Sequence, residues 1–112
     1  MEHADQLSAV FGALADPTRR AILMRLTSGD ANVAELAAPF NVSQPAISRH
    51  LKVLEAAGLI SRKRRRTANV SHLEPEMLRQ ATLWLGTYQE YWEQNYDRLD
   101  ELLARLQEQP DT

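Results

Sequence analysis

The stretch Asn41–Arg66, NVSQPAISRHLKVLEAAGLISRKRRR, decides the fold. Ser43 is placed to cap a helix, and Pro45 sits in the first turn, where a missing N–H leaves no helical partner wanting. Ile47, Leu51 and Leu54 then recur at steps of four and three, which is one stripe of a helix. Gly58 stops it. LISRKRRR and NVSHLE read as two short strands around a turn near Arg66–Ala68, and the first carries five consecutive cations, Arg62, Lys63, Arg64, Arg65 and Arg66. With the apolar stripe turned inward, Gln44, Ser48 and Lys52 fall at i, i+4 and i+8 on the outer face. A helix that faces only water carries a mixture of Glu and Lys; this one presents hydrogen-bond donors.

Upstream, Leu7, Val10, Phe11 and Leu14 share helical spacing in HADQLSAVFGALA. A second helix follows in DPTRRAILMRLTSG, with Asp16 as N-cap, Pro17 in the first helical position, Ile22, Leu23 and Leu26 as its stripe, and Gly29 at its end. NVAELAAPF is a short helix capped by Asn32, with Val33, Leu36, Ala37 and Phe40 on one face. Asn41, at ease at positive φ, is placed to make the sharp turn into the next helix. Downstream, from Pro75 to about Gln107, the pattern is helical without a break: Leu78, Ala81, Leu85, Tyr88, Trp92, Asn95, Leu99, Leu102 and Leu106 step by three and four. That is a coiled-coil-like seam, with Asn95 as a polar register device and Gly86 as a point of bend or close approach.

At 112 residues the chain predicts a single domain spanning 1–112, small enough that oligomerisation is a natural remedy for limited burial. Cysteine is absent, which excludes disulfides, thiolate metal sites and cysteine catalysis and fits a cytoplasmic setting. No run of about 18 apolar residues exists to span a membrane, and MEHADQLSAVFGALADP lacks the pattern of a signal peptide. The net charge of −2 conceals an asymmetry: ten Lys/Arg against six Asp/Glu in residues 1–73, and three against nine in residues 74–112. The basic half suits a polyanionic partner.

The fold class expected is therefore mainly α with a small β-hairpin: a winged helix-turn-helix with a long C-terminal helix, which the family resemblance given below makes homodimeric, with that helix as its dimerisation helix. The helix-turn-helix spans about 33–57, the wing about 59–73 and the last helix about 75–107. The second helix of such a unit places its N-terminal side chains against base edges in the major groove of double-stranded DNA. Here those are Ser43, Gln44, Pro45, Ala46, Ser48, Arg49, His50 and Lys52. Gln pairs bidentately with adenine, Arg with guanine, and Ala touches a thymine methyl. The wing cations, Arg62 to Arg66, suit phosphates or a narrow minor groove; as a charged edge strand they would also guard against aggregation. Arg19 and Arg20 either support phosphate contact or cap the domain, and the sequence leaves both open.

ALADPTRRAILMRL, VAELAAPFNVSQPAISRHLKVLEAAGLI and the basic wing resemble the ArsR-type family of bacterial winged-helix repressors over roughly residues 7–105. The resemblance implies a two-fold homodimer, built mainly from the first and last helices, that represses its own operon. The family pattern has Gly where Asn41 stands. Many members sense metals or arsenicals, through thiolates in the short helix or through His and carboxylates in the last one. This chain has no Cys, and its histidines, His3, His50 and His72, all precede Pro75, so no metal site and no cofactor is expected. The dimer surface expected is Leu7, Val10 and Phe11 from the first helix with Leu85, Tyr88, Trp92, Asn95, Leu99 and Leu102 from the last. Five of the seven aromatics fall between Trp84 and Tyr96, a clustering that fits such an interface and also a pocket for a small apolar effector. Members with a similar aromatic last helix are often encoded beside a hydrophobe-binding protein of the Bet v 1-like class.

The function expected is a sequence-specific transcriptional regulator, an autoregulating repressor that binds a pseudo-palindromic operator. The alternative is a protein-interaction module on the same scaffold without specific DNA binding. Enzymatic activity is not expected. No phosphate loop, metal triad or Ser/His/acid set is present, and Ser48 and His50, two apart on a helix, face different ways.

Overall fold

The computed structural model describes residues 2–108, with side chains from residue 5 on. Its elements are α1 (Glu2–Leu14), α2 (Pro17–Leu26), α3 (Val33–Ala37), α4 (Gln44–Ala56), β1 (Ile60–Arg65), β2 (Ala68–Leu73), α5 (Glu76–Gly86) and α6 (Gln89–Glu108). The start of each of α2, α3 and α4 is fixed by a side chain that accepts from an otherwise orphaned backbone N–H. Asp16 accepts from Arg19 N at 3.0 Å, and Ser43 Oγ from Ala46 N at 3.3 Å. At α3 the cap is reciprocal: Asn32 Oδ1 accepts from Glu35 N (2.8 Å) while Glu35 Oε1 accepts from Asn32 N (3.1 Å).

The end of α4 is equally defined. Gly58 adopts φ +79, Leu59 N–H donates to the Leu54 carbonyl (3.0 Å) and Gly58 N–H to the Glu55 carbonyl (3.0 Å). This paired closure is the Schellman motif, and its apolar signature is present too, since Leu54 and Leu59 are both fully buried. The chain leaves it directly into the hairpin. β1 and β2 pair antiparallel from Ile60↔Leu73 to Arg65↔Ala68. Arg66, in the two-residue turn, has φ 58. The link before α3 adds a further bridge, Ala31 to Ser71, with both backbone hydrogen bonds made (3.2 and 2.8 Å).

Asn41 does not take the left-handed conformation expected of it; among the described non-glycine residues only Arg66 has positive φ. The turn between α3 and α4 is spread over residues 38–43 instead, beginning with Phe40 N–H donating to the Ala37 carbonyl (3.0 Å). No single residue then needs a strained backbone.

The chain divides into two compact units, one up to Ala81 and one from Thr82 onward, with the boundary inside α5. The first holds the core: Val10, Ile22, Leu36, Ile47, Leu51, Leu54 and Leu59 are its largest fully buried side chains, and Met77 and Ala81 of α5 join it. Val10 was expected at a dimer surface. It is 0% exposed within its own subunit, so it has nothing left to offer a partner, whereas Leu7 and Phe11 stay only half-buried.

The unbroken helix expected over 75–107 is not found. Thr87 N–H and Tyr88 N–H turn back to the Trp84 and Leu85 carbonyls (both 3.1 Å), and the Thr87 hydroxyl also donates to the Trp84 carbonyl (2.7 Å). These tighter i→i−3 bonds, after a glycine with poor helix propensity, close α5 before α6 begins. Helical bonding resumes when Trp92 N–H reaches the Tyr88 carbonyl (3.0 Å).

Two glycine substitutions should act in opposite directions. At Gly58 a Cβ would stand 3.2 Å from Met77 Cγ on a positive-φ backbone, so Gly58→Ala should lower unfolding stability by ~1–2 kcal/mol. At Gly86 a Cβ meets nothing within 4 Å, so Gly86→Ala should leave stability unchanged or raise it by up to ~1 kcal/mol. Urea unfolding of the two variants checks both.

Candidate nucleic-acid interface

Helix α4 has one face in the core and one in solvent. Ile47, Leu51 and Leu54 are at most 1% exposed. Gln44, Pro45, Arg49 and Lys52 are exposed, and Ala46 and Ser48 partly so. Among the described residues Gln44, Arg49 and Lys52 make no side-chain hydrogen bond or ion pair, so their donors stand free. Ser43, also exposed, spends its oxygen on capping the helix.

His50 is the member of the expected reading set that turns another way. Its Nδ1 lies 3.3 Å from Arg19 Nη1 and 3.9 Å from Asp16 Oδ2. The same ring nitrogen thus lies within reach of a guanidinium, which donates, and of a carboxylate, which accepts. Arg19 also donates through Nε to the Ala13 carbonyl (2.7 Å) and through Nη2 to the Gly12 carbonyl (3.1 Å). Arg20 Nη1 donates to the Leu14 carbonyl (2.7 Å). Both side chains thus satisfy carbonyls at the C-terminal end of α1, where cations are favoured, which is the capping role of the two that the sequence left open. The Arg19 backbone N–H holds the Asp16 carboxyl below its ordinary value; partial burial opposes this, and the charges of His50 and Arg19 assist it.

The five wing cations are not equivalent. Arg62 Nε donates to Glu55 Oε2 on the last turn of α4 (3.1 Å). Arg65 donates through Nε and Nη2 to Asp30 Oδ2 (3.3 and 3.1 Å). Lys63, Arg64 and Arg66 are exposed and make no hydrogen bond or ion pair among the described residues. Asp30, which lies between α2 and α3, also receives His72 Nδ1 of β2 at 2.7 Å. The His72 hydrogen bond is the main reason the Asp30 carboxyl titrates below its ordinary value, with Arg65 adding to it and partial burial opposing it. Sequence reasoning missed Asp30, because nothing local in SGDAN signals a partner 35 residues away.

His50 and His72 are both engaged by protein partners, and His3 lies outside the residues whose side chains are described. Among the described residues no three His, Asp or Glu side chains come together in a manner suited to a metal ion. No helix among them is long and apolar enough to cross a membrane.

The second unit shows a different surface. No residue of α6 is buried. Tyr91, Trp92, Tyr96, Leu99, Leu102, Leu103 and Leu106 are all between 47% and 67% exposed, and Asn95 is exposed among them. Tyr88 and Leu85, at 46% and 39%, lie either side of the helix break, and the Tyr88 ring meets Trp84 edge-on at 5.4 Å. A groove of about 450 Å³ at the break is lined by Thr82, Leu85, Gly86, Gln89 and Trp92.

A helix pair whose second member buries one stripe and frees its N-terminal donors, followed by a cationic hairpin, is a winged helix-turn-helix, a class that reads DNA. Known proteins agree with this geometry. Residues 16–62 match the family described as "Bacterial regulatory protein, arsR family". Over 79 residues the chain is 38% identical to the transcriptional repressor SdpR of Bacillus subtilis, covering 70% of this chain and 88% of that protein. Over 63 residues it is 51% identical to the HTH-type transcriptional regulator Rv2034 of Mycobacterium tuberculosis, 56% of this chain and 59% of that protein. It superposes on the crystal structure of the ArsR family transcriptional regulator RHA00566 with a TM-score of 0.72 at 41% identity, covering 80% of this chain and 93% of that one. It also superposes on the homodimeric winged helix-turn-helix DNA-binding domain of Mb0332 from Mycobacterium bovis, with a TM-score of 0.65 at 26% identity over 83% of this chain and 87% of that one. The chain belongs to the arsR family of bacterial regulatory proteins and is a DNA-binding transcriptional regulator.

The depressed Asp30 carboxyl sets a pH dependence. A carboxyl titrating lower in the folded state than in the unfolded chain stabilises the fold above its unfolded value and stops doing so as pH falls through its folded value. Starting from an ordinary value of 3.8, stability should decline on acidification below about pH 4, and Asp30→Asn should flatten that decline. Urea unfolding across pH 2 to 6 measures it; parallel curves for the two proteins would remove Asp30 from the account.

Proposed function

We propose that this regulator is a homodimeric repressor, acting in the cytoplasm, that binds a pseudo-palindromic operator near its own gene. Each protomer would place α4 in a major groove, with Gln44, Ala46, Ser48, Arg49 and Lys52 towards the base edges and Ser43, Pro45 and His50 setting the entry of the helix. Lys63, Arg64 and Arg66 would lie along the flanking phosphates. The observation that carries this reading is the coincidence of free donors on the outer face of α4 with three wing cations that have no internal partner. Gln and Arg in such positions have bidentate base partners, and unpaired cations release counterions on meeting phosphate.

Dimerisation is the companion proposal. An amphipathic helix that buries none of its residues leaves an apolar arc in water, which soluble monomers rarely tolerate. A second copy supplies a partner, with Leu85, Tyr88, Trp92, Leu99 and Leu102 at the seam, and the half-buried Leu7 and Phe11 of α1 are the first unit's own contribution to assembly. Residues 1–112 would thus act as one functional protomer, reading DNA through the first unit and assembling through the second. Control by a small apolar effector in the groove at Leu85 and Trp92 fits the same surface. We assign no catalytic activity, in keeping with a family of regulators.

The deciding experiment is titration of the purified protein into a duplex taken from upstream of its gene, against a scrambled duplex, at several salt concentrations. Preference for the upstream duplex, with steep salt dependence, supports the reading. Absence of binding at every salt concentration would redirect it to the protein-interaction alternative.

Three variants sharpen the assignment. Arg49→Ala should cost ~1–3 kcal/mol of specific binding and relax preference at one base position. Lys63→Ala, Arg64→Ala and Arg66→Ala should each weaken all sequences alike and lower the slope of log K against log salt by ~0.9. Leu99→Asp combined with Leu102→Asp should convert the dimer to monomer in sedimentation and abolish tight operator binding; an unchanged dimer would remove α6 from the interface.

A further inference from the structure

Resting on the DNA-binding assignment, we infer that Asp30 is a positioning residue for DNA recognition: it locks Arg65 and His72 to the body of the domain, so that Arg65 aims the wing and does not itself contact phosphate. The geometry is specific. One carboxylate takes both strands of the hairpin, Oδ2 receiving Arg65 of β1 (3.1 and 3.3 Å) and Oδ1 receiving His72 of β2 (2.7 Å). The Asp30 side chain is 21% exposed, the most shielded group in any ion pair of the described residues. The next residue, Ala31, is tied to Ser71 by two backbone hydrogen bonds. Backbone bridge and carboxylate therefore hold the hairpin together, the bridge at Ser71 and the carboxylate both at His72 near the base and at Arg65 beside the turn.

Two arms tied at these points leave a hairpin little freedom to swing. Lys63, Arg64 and Arg66 are then presented from a fixed frame, and binding need not spend free energy on ordering them. A carboxylate in a basic wing makes little sense as an electrostatic aid to DNA binding. Its own charge repels phosphate, and it occupies an arginine that would otherwise be available. A role in holding the wing accounts for both costs.

The competing roles predict opposite signs. If Asp30 acts only through charge, Asp30→Ala removes a repulsion and tightens binding to DNA. If Arg65 contacts phosphate, Arg65→Ala lowers the salt slope by ~0.9. If Asp30 positions the wing through Arg65, each variant weakens binding to a preferred duplex about tenfold while the salt slope stays unchanged. The double variant then loses no more than Asp30→Ala alone and not about a hundredfold, because the link that Arg65→Ala breaks is one of the two that Asp30→Ala already breaks.

The experiment uses the full chain and a duplex that the wild-type protein itself selects from a random-sequence pool, with a scrambled duplex as control. Affinities of wild type, Asp30→Ala, Arg65→Ala and the double variant are measured over a range of salt concentrations, with thermal unfolding confirming that each is folded. Non-additive losses, shared by the selected and the scrambled duplex because the wing meets phosphate and not bases, with the salt slope unaffected, are expected. Unchanged or tighter binding by Asp30→Ala, a reduced slope for Arg65→Ala, or additive losses would each overturn the inference. Should Asp30→Ala fail to fold, Arg65→Ala alone decides through its slope, since that side chain is 60% exposed and its removal leaves the core intact. Failure of the wild-type protein to select any sequence would refute the DNA-binding assignment instead, a distinct result.

Discussion

The burial of Ile47, Leu51 and Leu54 is the constraint on which the rest depends. These three side chains fix how α4 is rolled about its own axis, and that roll alone decides which residues face outward. A rotation of one residue, about 100°, would turn Ser48 towards the core and leave its hydroxyl without water. Which side chains α4 offers to solvent is therefore set by apolar packing on the opposite side of the helix. The Schellman closure at Gly58 extends the same control along the chain. By ending α4 with Leu59 buried, it delivers the wing from a point already anchored in the core.

Charge in this protein is divided between holding the fold and meeting a partner. Arg19 and Arg20 add to the count of cations in the basic half, yet their guanidiniums donate to α1 carbonyls. Arg62 and Arg65 are likewise held by Glu55 and Asp30. In residues 1–73, what remains uncommitted among the described residues is a smaller set, Arg49, Lys52, Lys63, Arg64 and Arg66. A count of basic residues overstates the electrostatic footprint on DNA, and the internal acceptors of each arginine correct it.

Much of this was legible in the sequence, and the reason is locality. The caps at Asp16, Asn32 and Ser43, the stripe of α4, the glycine stop and the presence of the hairpin all arise from residues within a few positions of one another. The failures share the opposite character. Asp30 and Arg19 act across 35 and 31 residues, and no local spacing announces such pairs. Val10 belongs to an apolar stripe, and a stripe records that a face is buried without saying whether by the same subunit or another. The break at Thr87 was masked because apolar residues continue at steps of three and four straight through it; Gly86 marked a bend, but the turn of Thr87 and Tyr88 back to the Trp84 and Leu85 carbonyls is a matter of backbone geometry that spacing does not record. Asn41 shows that a residue able to adopt a conformation need not be required to.

Arg66 carries a consequence beyond its place in the wing. It is a long, branched-charge side chain held at φ 58, in a turn position where glycine would rest without strain. A non-glycine residue there costs of order 1 kcal/mol of folding free energy. The hairpin tip is thus less stable than its own backbone would allow, and the deficit is spent at the point of the molecule that reaches furthest along the wing. Stability and charge density cannot both be maximal at this position. Any variant that hardens the fold here thins the cationic tip, so thermal robustness and grip on a polyanion are tied to one another through a single torsion angle.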